Sequence, residues 1–202
     1  VANVLFTSQP GVSRQIRELE EELGVDIFER NGKRLTGLTE PGKGILLIIE
    51  RLLVEAEVAA LAAERRNPQD ILDIEQAVKA LNAAALAGGN GVAEDVNFHR
   101  AIAQATRNPF LIQTLQYLSK FLNGATQVTR ANEARRLDFA AEVQAEHQAI
   151  LSAILAGNPD QARQAAAAHM GNAITRIRQA DPSFWEQEGA RLAQPLVKGL
   201  NS

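Results

Sequence analysis

Apolar positions recur at helical spacing over most of the chain. After Asn67-Pro68, residues Ile71, Ile74, Val78, Leu81 and Ala85 repeat every three or four positions until Gly88-Gly89-Asn90-Gly91 breaks the run. Val92, Val96, His99 and Ile102 mark the next helix, and Leu111, Leu115, Leu118 and Leu122 the one after it. A segment from about Glu133 to Ala156 is predicted as one long helix closed by Gly157, and Pro159 opens another. Asn67-Pro68, Asn108-Pro109 and Asn158-Pro159 each pair an N-capping side chain with proline at the first helical position, where a missing N–H costs nothing. From Glu57 to about Ala180 no strand pattern appears.

Residues 1–56 read differently. Val12, Ile16, Leu19 and Leu23 form one apolar helical face, Gly24 ends that helix, and Val25-Asp26-Ile27-Phe28 begins an extended stretch. Asn31-Gly32 is a hairpin-turn signal, with Arg34–Thr39 as the return strand. From Glu40-Pro41 a connector helix runs through Ile45, Ile48, Ile49, Leu52 and Leu53. The pattern predicts a mainly α protein: an all-helical bundle preceded by a helix and a two-stranded wing, the outline that the resemblances below read as an effector domain behind a partial winged helix-turn-helix. Its expected divisions are 1–56 (head and connector), 57–181 (helical domain) and 182–202 (an irregular tail).

With 202 residues, 46% of them hydrophobic, the chain can bury a proper core without covalent staples. It has no cysteine, which excludes disulfides and thiolate chemistry and suits a reducing cytoplasm. The longest apolar run, Gly44–Ile49, stops at Glu50 and Arg51, well short of a membrane span, so a soluble protein is expected. Net charge is −3, and residues 1–56 hold seven Lys/Arg against nine Asp/Glu. Any affinity for nucleic acid must therefore come from local placement of charge.

All three histidines lie in helical stretches with metal-ligand chemistry. Asp95 and His99, four residues apart, fall on one helix face, and His147 and His169 follow on separate helices. Convergence of Asp95, His99, His147 and His169 would make a mixed oxygen and nitrogen set suited to Zn²⁺, Ni²⁺, Mn²⁺ or Fe²⁺, with one or two positions left for water or a carboxylate. Such imidazoles must be neutral, so affinity should weaken as pH falls through about 6.5. The plainer alternative is a set of hydrogen-bonded core histidines.

Near the other end, Ser8 can cap a helix that displays Gln9, Ser13, Arg14 and Arg17, side chains able to meet base edges and phosphates. Arg30, Lys33 and Arg34 in the hairpin would add phosphate-facing charge, while Glu18, Glu20, Glu21 and Glu22 should point away from DNA. An ordinary amphipathic helix with a solvated face is the alternative.

The order Ser8-Gln9-Pro10, Val12-Ser13-Arg14, Leu19-Glu20, Leu23-Gly24, Phe28-Glu29-Arg30 and Leu38-Thr39-Glu40-Pro41-Gly42 resembles the LysR-type winged helix-turn-helix family, most closely its sulfur- and cysteine-controlling branch. The resemblance implies contact with double-stranded operator DNA through Gln9, Ser13, Arg14 and Arg17, supported by Arg30, Lys33 and Arg34. It also implies a first helix that would precede Val1. Farther on, Glu55–Arg66, Asp95 through His99, Arg107-Asn108-Pro109-Phe110-Leu111, Glu146-His147-Gln148-Ala149-Ile150, Gly157–Asp160 and Ala168-His169-Met170 resemble the ligand-binding C-terminal (FCD) domain of FadR-type GntR regulators. That likeness implies a divalent metal on Asp95, His99, His147 and His169 beside a small organic acid, in a bundle that forms a homodimer. It further implies Arg130, Arg135 or Arg136 as groups reaching the anionic effector. The two families normally carry other partners, so the join near Leu53–Glu57 reads as a composite. The expected function is a DNA-binding, ligand-responsive transcription regulator in the cytoplasm, not an enzyme. Two other readings are a metal-dependent hydrolase or lyase, for which Glu94 and Glu146 are poorly placed as bases, and a metal-free dimerisation bundle.

Overall fold

The computed structural model describes residues 13–14, 16–18, 20–21, 26–32, 34–121, 123–189 and 191–192. The chain divides into two compact units between Ile48 and Ile49.

In the first unit, strands Phe28–Asn31 (β1) and Arg34–Leu38 (β2) form an antiparallel hairpin, with Phe28 opposite Leu38 and Asn31 opposite Arg34. The register slips between Glu29 and Arg30, a bulge that sharpens the local twist. Gly32 takes φ +60°, the left-handed conformation that a turn needs and glycine adopts without strain. Glu20 anchors the start of the hairpin. Its Oε1 accepts from the Ile27 and Phe28 amides at 2.9 and 3.0 Å, and its Oε2 meets Arg30. Burial opposes ionisation of Glu20, but the two amides and Arg30 outweigh it and hold the carboxyl below its ordinary value.

Helix Glu40–Arg65 (α1) absorbs both the connector stripe and the opening of the helical domain. Then follow Pro68–Leu86 (α2), Val92–Ala105 (α3), Pro109–Phe121 (α4), Asn123–Ala134 (α5), Leu137–Ala156 (α6) and Pro159–Arg178 (α7). Among the described residues no strand follows Leu38. All three Asn-Pro starts form. Asn67 and Asp70 make a reciprocal capping box, Asn108 Oδ1 accepts from Phe110 N at 3.1 Å, and Asn158 Oδ1 accepts from Gln161 N at 3.1 Å. Gly157 closes α6 at φ +65°. The single helix predicted over 133–156 is two helices, because Arg136 is extended (φ −126°, ψ 120°) and Glu133 belongs to α5.

Helix α2 packs along α3, and α6 along α7. Their shared core holds Val58, Ala62, Ile74, Phe98, Ile102, Ile150 and Ile154. A smaller cluster joins Val128 and Ala131 to Phe184, which sits on a helical turn, Pro182–Phe184, in the tail that the sequence pattern leaves unassigned. Among the described residues no helix is long and apolar enough to cross a membrane.

Candidate metal centre

Three helices bring the four predicted ligands to one buried place. Asp95 and His99 project from one face of α3, His147 comes from α6 and His169 from α7. One nitrogen each from His99, His147 and His169 lie within 4.8 Å of one another. Three nitrogens bound about 2.1 Å from a common ion are about 3.4–3.6 Å apart, so each would move inward by up to about 0.8 Å. Asp95 completes the set: its oxygens lie 3.5 Å from His147 Nε2 and 3.9 Å from His99 Nε2. Phe98 meets the His147 ring edge-on, with centroids 4.9 Å apart.

His147 Nε2 is buried and has no hydrogen-bond partner. Such an atom is costly to leave alone, and a metal ion is the partner that suits a neutral imidazole. Burial first, then the neighbouring His169 and His99, keep the His147 pKa well below its ordinary value, so its lone pair is free. Burial alone would lower His99 too, but Glu55 beside it reverses the sign and raises it.

Charge around the rings is dense and paired. Arg51 Nε donates to Glu55 Oε1 at 2.6 Å, Arg130 NH1 to Glu133 Oε2 at 3.1 Å, and Arg176 Nε to Glu133 Oε1 at 3.0 Å. Arg176 also clasps both oxygens of Glu146, at 2.8 and 3.0 Å. Burial opposes ionisation of Glu146, yet hydrogen bonds from His169, Arg176 and Asn172 lower its carboxyl to about 2. Burial pushes Glu133 up against the pull of Arg130 and Arg176. Three guanidiniums (Arg51, Arg130, Arg176) thus face four carboxylates (Glu55, Asp95, Glu133, Glu146), and with the three imidazoles neutral, as metal binding requires, one negative charge is left. A divalent cation would turn this to one positive charge, which a single bound carboxylate would neutralise.

Arg130 sits at the edge of this cluster. Its Nε donates to Asn90 O at 3.0 Å and lies 4.0 Å from Asp95 Oδ1. Gly91 makes room for it, since a Cβ there would lie 3.0 Å from the guanidinium and from Leu81, at a φ of +64°. Arg130, Glu133 and His147 line a cleft of about 270 Å³ with Leu81, Leu137 and Gln144. A second cleft, about 450 Å³, reaches His99 past Leu115, Gln116 and Lys120. Arg135 and Arg136 lie elsewhere. Both are exposed, Arg135 over the Phe184 ring at 5.7 Å and Arg136 over Phe139 at 3.8 Å, where it also pairs with Asp138.

Of the candidate DNA-contacting side chains, Gln9 and Lys33 lie outside the described residues. Ser13 is partly exposed; Arg14, Arg17, Arg30 and Arg34 are exposed. Arg14 pairs with Glu18 at 2.7 Å, and Arg30 with Glu20.

The FCD domain family matches residues 48–172, more than half the chain. The chain belongs to this family. Residues 1–43 match the bacterial regulatory helix-turn-helix proteins of the lysR family, so this FCD chain joins two kinds of module, as its composite sequence suggests. The HTH-type transcriptional regulator cbl of Escherichia coli (strain K12) is 71% identical over 56 residues, 28% of this chain and 18% of the relative. The HTH-type transcriptional regulator LutR of Bacillus subtilis (strain 168) is 33% identical over 133 residues, 62% of this chain and 58% of the relative. The chain therefore spans less than two thirds of these curated relatives. Among solved structures, E. coli McbR/YncC aligns with TM-score 0.58 at 21% identity, covering 88% of this chain and 84% of that one. Streptococcus agalactiae GntR aligns with TM-score 0.52 at 22% identity, covering 89% and 86%. Both are likenesses of fold.

Arg51, Glu133 and Arg176 carry no functional motif in the sequence, and Glu55 and Glu146 stand there only in stretches that resemble the FCD family, Glu146 also as a poorly placed base. Two spacings carried a signal. Arg51 and Glu55 are four apart in an apolar helix, and His169, Asn172 and Arg176 fall on one face of α7.

Proposed function

We propose that this FCD chain is a DNA-binding transcription regulator whose helical unit binds a divalent metal ion and a small carboxylate effector. The observation that carries the reading is the meeting of Asp95 with three imidazoles, one of which has a buried nitrogen without a partner. Asp95, His99, His147 and His169 would hold Zn²⁺, Ni²⁺, Mn²⁺ or Fe²⁺, and the ion would supply positive charge and an open position for a carboxylate oxygen. Arg130 would orient that carboxylate from the cleft wall. Arg135 and Arg136, held at the surface by Phe184 and Asp138, are poorly placed for it.

Residues 1–56 would form the head and connector, 57–181 the sensor, and 182–202 a tail whose Phe184 packs on the sensor helix α5. The head would act on double-stranded operator DNA in the cytoplasm through Gln9, Ser13, Arg14 and Arg17, with Arg30, Lys33 and Arg34 on phosphates. Pairing of two chains would match a two-fold symmetric site, and an effector with unequal affinity for two dimer arrangements would provide the switch. An enzymatic reading is disfavoured, because both oxygens of Glu146 are engaged by Arg176, Asn172 and His169, and Glu94 lines a separate cleft on α2 and α3. The chain's relatives are also named as regulators.

The test is selection from a random duplex pool, with and without Zn²⁺ and a panel of small organic acids. The expected result is enrichment of a palindromic site, lost in R14A and R17A and shifted by one acid. Enrichment of no sequence by the chain would contradict the proposal.

A further inference from the structure

We propose that Glu55 and Glu146 are positioning residues for the metal centre, each gripping the outer nitrogen of one imidazole so that the inner nitrogen faces the shared site. The inference rests on the metal reading above and assigns the parts that make such a site rigid.

Glu146 Oε2 lies 2.9 Å from His169 Nδ1. A carboxylate can only accept at that distance, so the proton sits on Nδ1 and the lone pair on Nε2. Glu146 cannot swing away. Arg176 binds both of its oxygens and Asn172 donates to Oε1 at 2.7 Å. Arg176, its side chain 3% exposed, is in turn fixed by Glu133 at 3.0 Å. The same order of groups recurs across the site. Glu55 Oε2 lies 3.0 Å from His99 Nδ1, close enough for an ion pair although too bent for a good hydrogen bond. Its other oxygen takes Arg51 Nε at 2.6 Å, and Arg51 NH1 donates to Thr126 Oγ1 at 3.0 Å.

Imidazole, carboxylate, guanidinium is thus built twice from unrelated stretches of chain, reaching from α1 to α3 and from α6 to α7. A histidine ring can turn to offer either nitrogen, and a carboxylate on Nδ1 removes that freedom and strengthens the other nitrogen as a donor to metal. The inner nitrogen of His99 agrees with this assignment, since its Nε2 lies 3.9 Å from Asp95, whose other oxygen meets His147 Nε2.

The experiment measures Zn²⁺ affinity by competition with a chromophoric chelator, and the visible spectrum of the Co²⁺ form, for the chain and for E146Q and E55Q. Melting of the metal-free proteins checks the fold. Each variant is expected to bind Zn²⁺ roughly ten- to a hundred-fold more weakly, with altered Co²⁺ bands that a merely structural role would not produce. Should E146Q fail to fold, N172A removes one hydrogen bond from the same carboxylate at an exposed position, with an expected loss of about three-fold. Affinities and spectra equal to those of the unaltered chain would overturn the positioning role alone. Absence of Zn²⁺ and Co²⁺ binding by the unaltered chain would overturn the metal reading together with it.

Discussion

Three arginines at the core of the helical unit and three in the N-terminal unit are used in opposite ways. In the helical unit Arg51, Arg130 and Arg176 are buried, and each is tied to a carboxylate within 3.1 Å. In the N-terminal unit Arg14, Arg17 and Arg34 stand in solvent, and the Arg14 pair with Glu18 leaves both side chains more than half exposed. A buried ion pair contributes little net stability, yet breaking one is expensive, because the remaining charge is stranded away from water. An exposed pair is screened and adds almost nothing to stability. The helical unit therefore fixes where its charges stand, as a binding pocket requires. The N-terminal unit leaves Arg14, Arg17 and Arg34 at its surface, and Glu20 is the exception, buried where it accepts from the hairpin amides.

The sharpest way to break this contrast is to delete one arginine from each unit. R176A takes a guanidinium from both Glu133 and Glu146, leaving them Arg130 and the Asn172–His169 pair, and should cost up to about 3–5 kcal/mol in urea denaturation. R14A should leave the midpoint unmoved while weakening duplex DNA binding. Equal effects on stability would remove the distinction.

Two glycines sharpen it further. Gly91 and Gly32 both take positive φ, but a Cβ at Gly91 meets Arg130 and Leu81 at 3.0 Å, whereas nothing lies within 4 Å at Gly32. G32A should cost about 1 kcal/mol for its backbone alone, and G91A more, when thermal melts of the two are compared.

The smallest expected effect is local and pH-dependent. The folded pKa of Glu20 lies below its unfolded value, so its contribution is present above about pH 4.3 and is lost as pH falls through the folded value. Protection of the Ile27 and Phe28 amides, read as their exchange relative to the intrinsic rate at each pH, should fall on acidification in this window. In E20Q the amides should exchange faster at neutral pH, and the acid response should flatten.

Much of this was legible in sequence where the cause is local. Asn-Pro pairs dictate helix starts through a side chain and a missing N–H, and all three form. Asp95 and His99 share a face because four residues make about one turn. What escaped depends on contacts distant in sequence. The break at Arg135–Arg136 carries no proline or glycine, and Arg136 is extended with its guanidinium over Phe139 and against Asp138. Glu146 looked misplaced beside His147 because its partner, His169, stands on the next helix. Phe184, fully buried, follows a stretch with no periodicity, so its packing on α5 had no mark in the pattern.

The central claim is that Asp95, His99, His147 and His169 enclose a divalent ion, and elemental analysis after Zn²⁺ loading and desalting tests it most directly. The account predicts one metal ion per chain, and in H147A, which removes the unpartnered nitrogen, almost none in a protein that still folds. A metal-free chain after loading, or the same metal content in H147A, would contradict it.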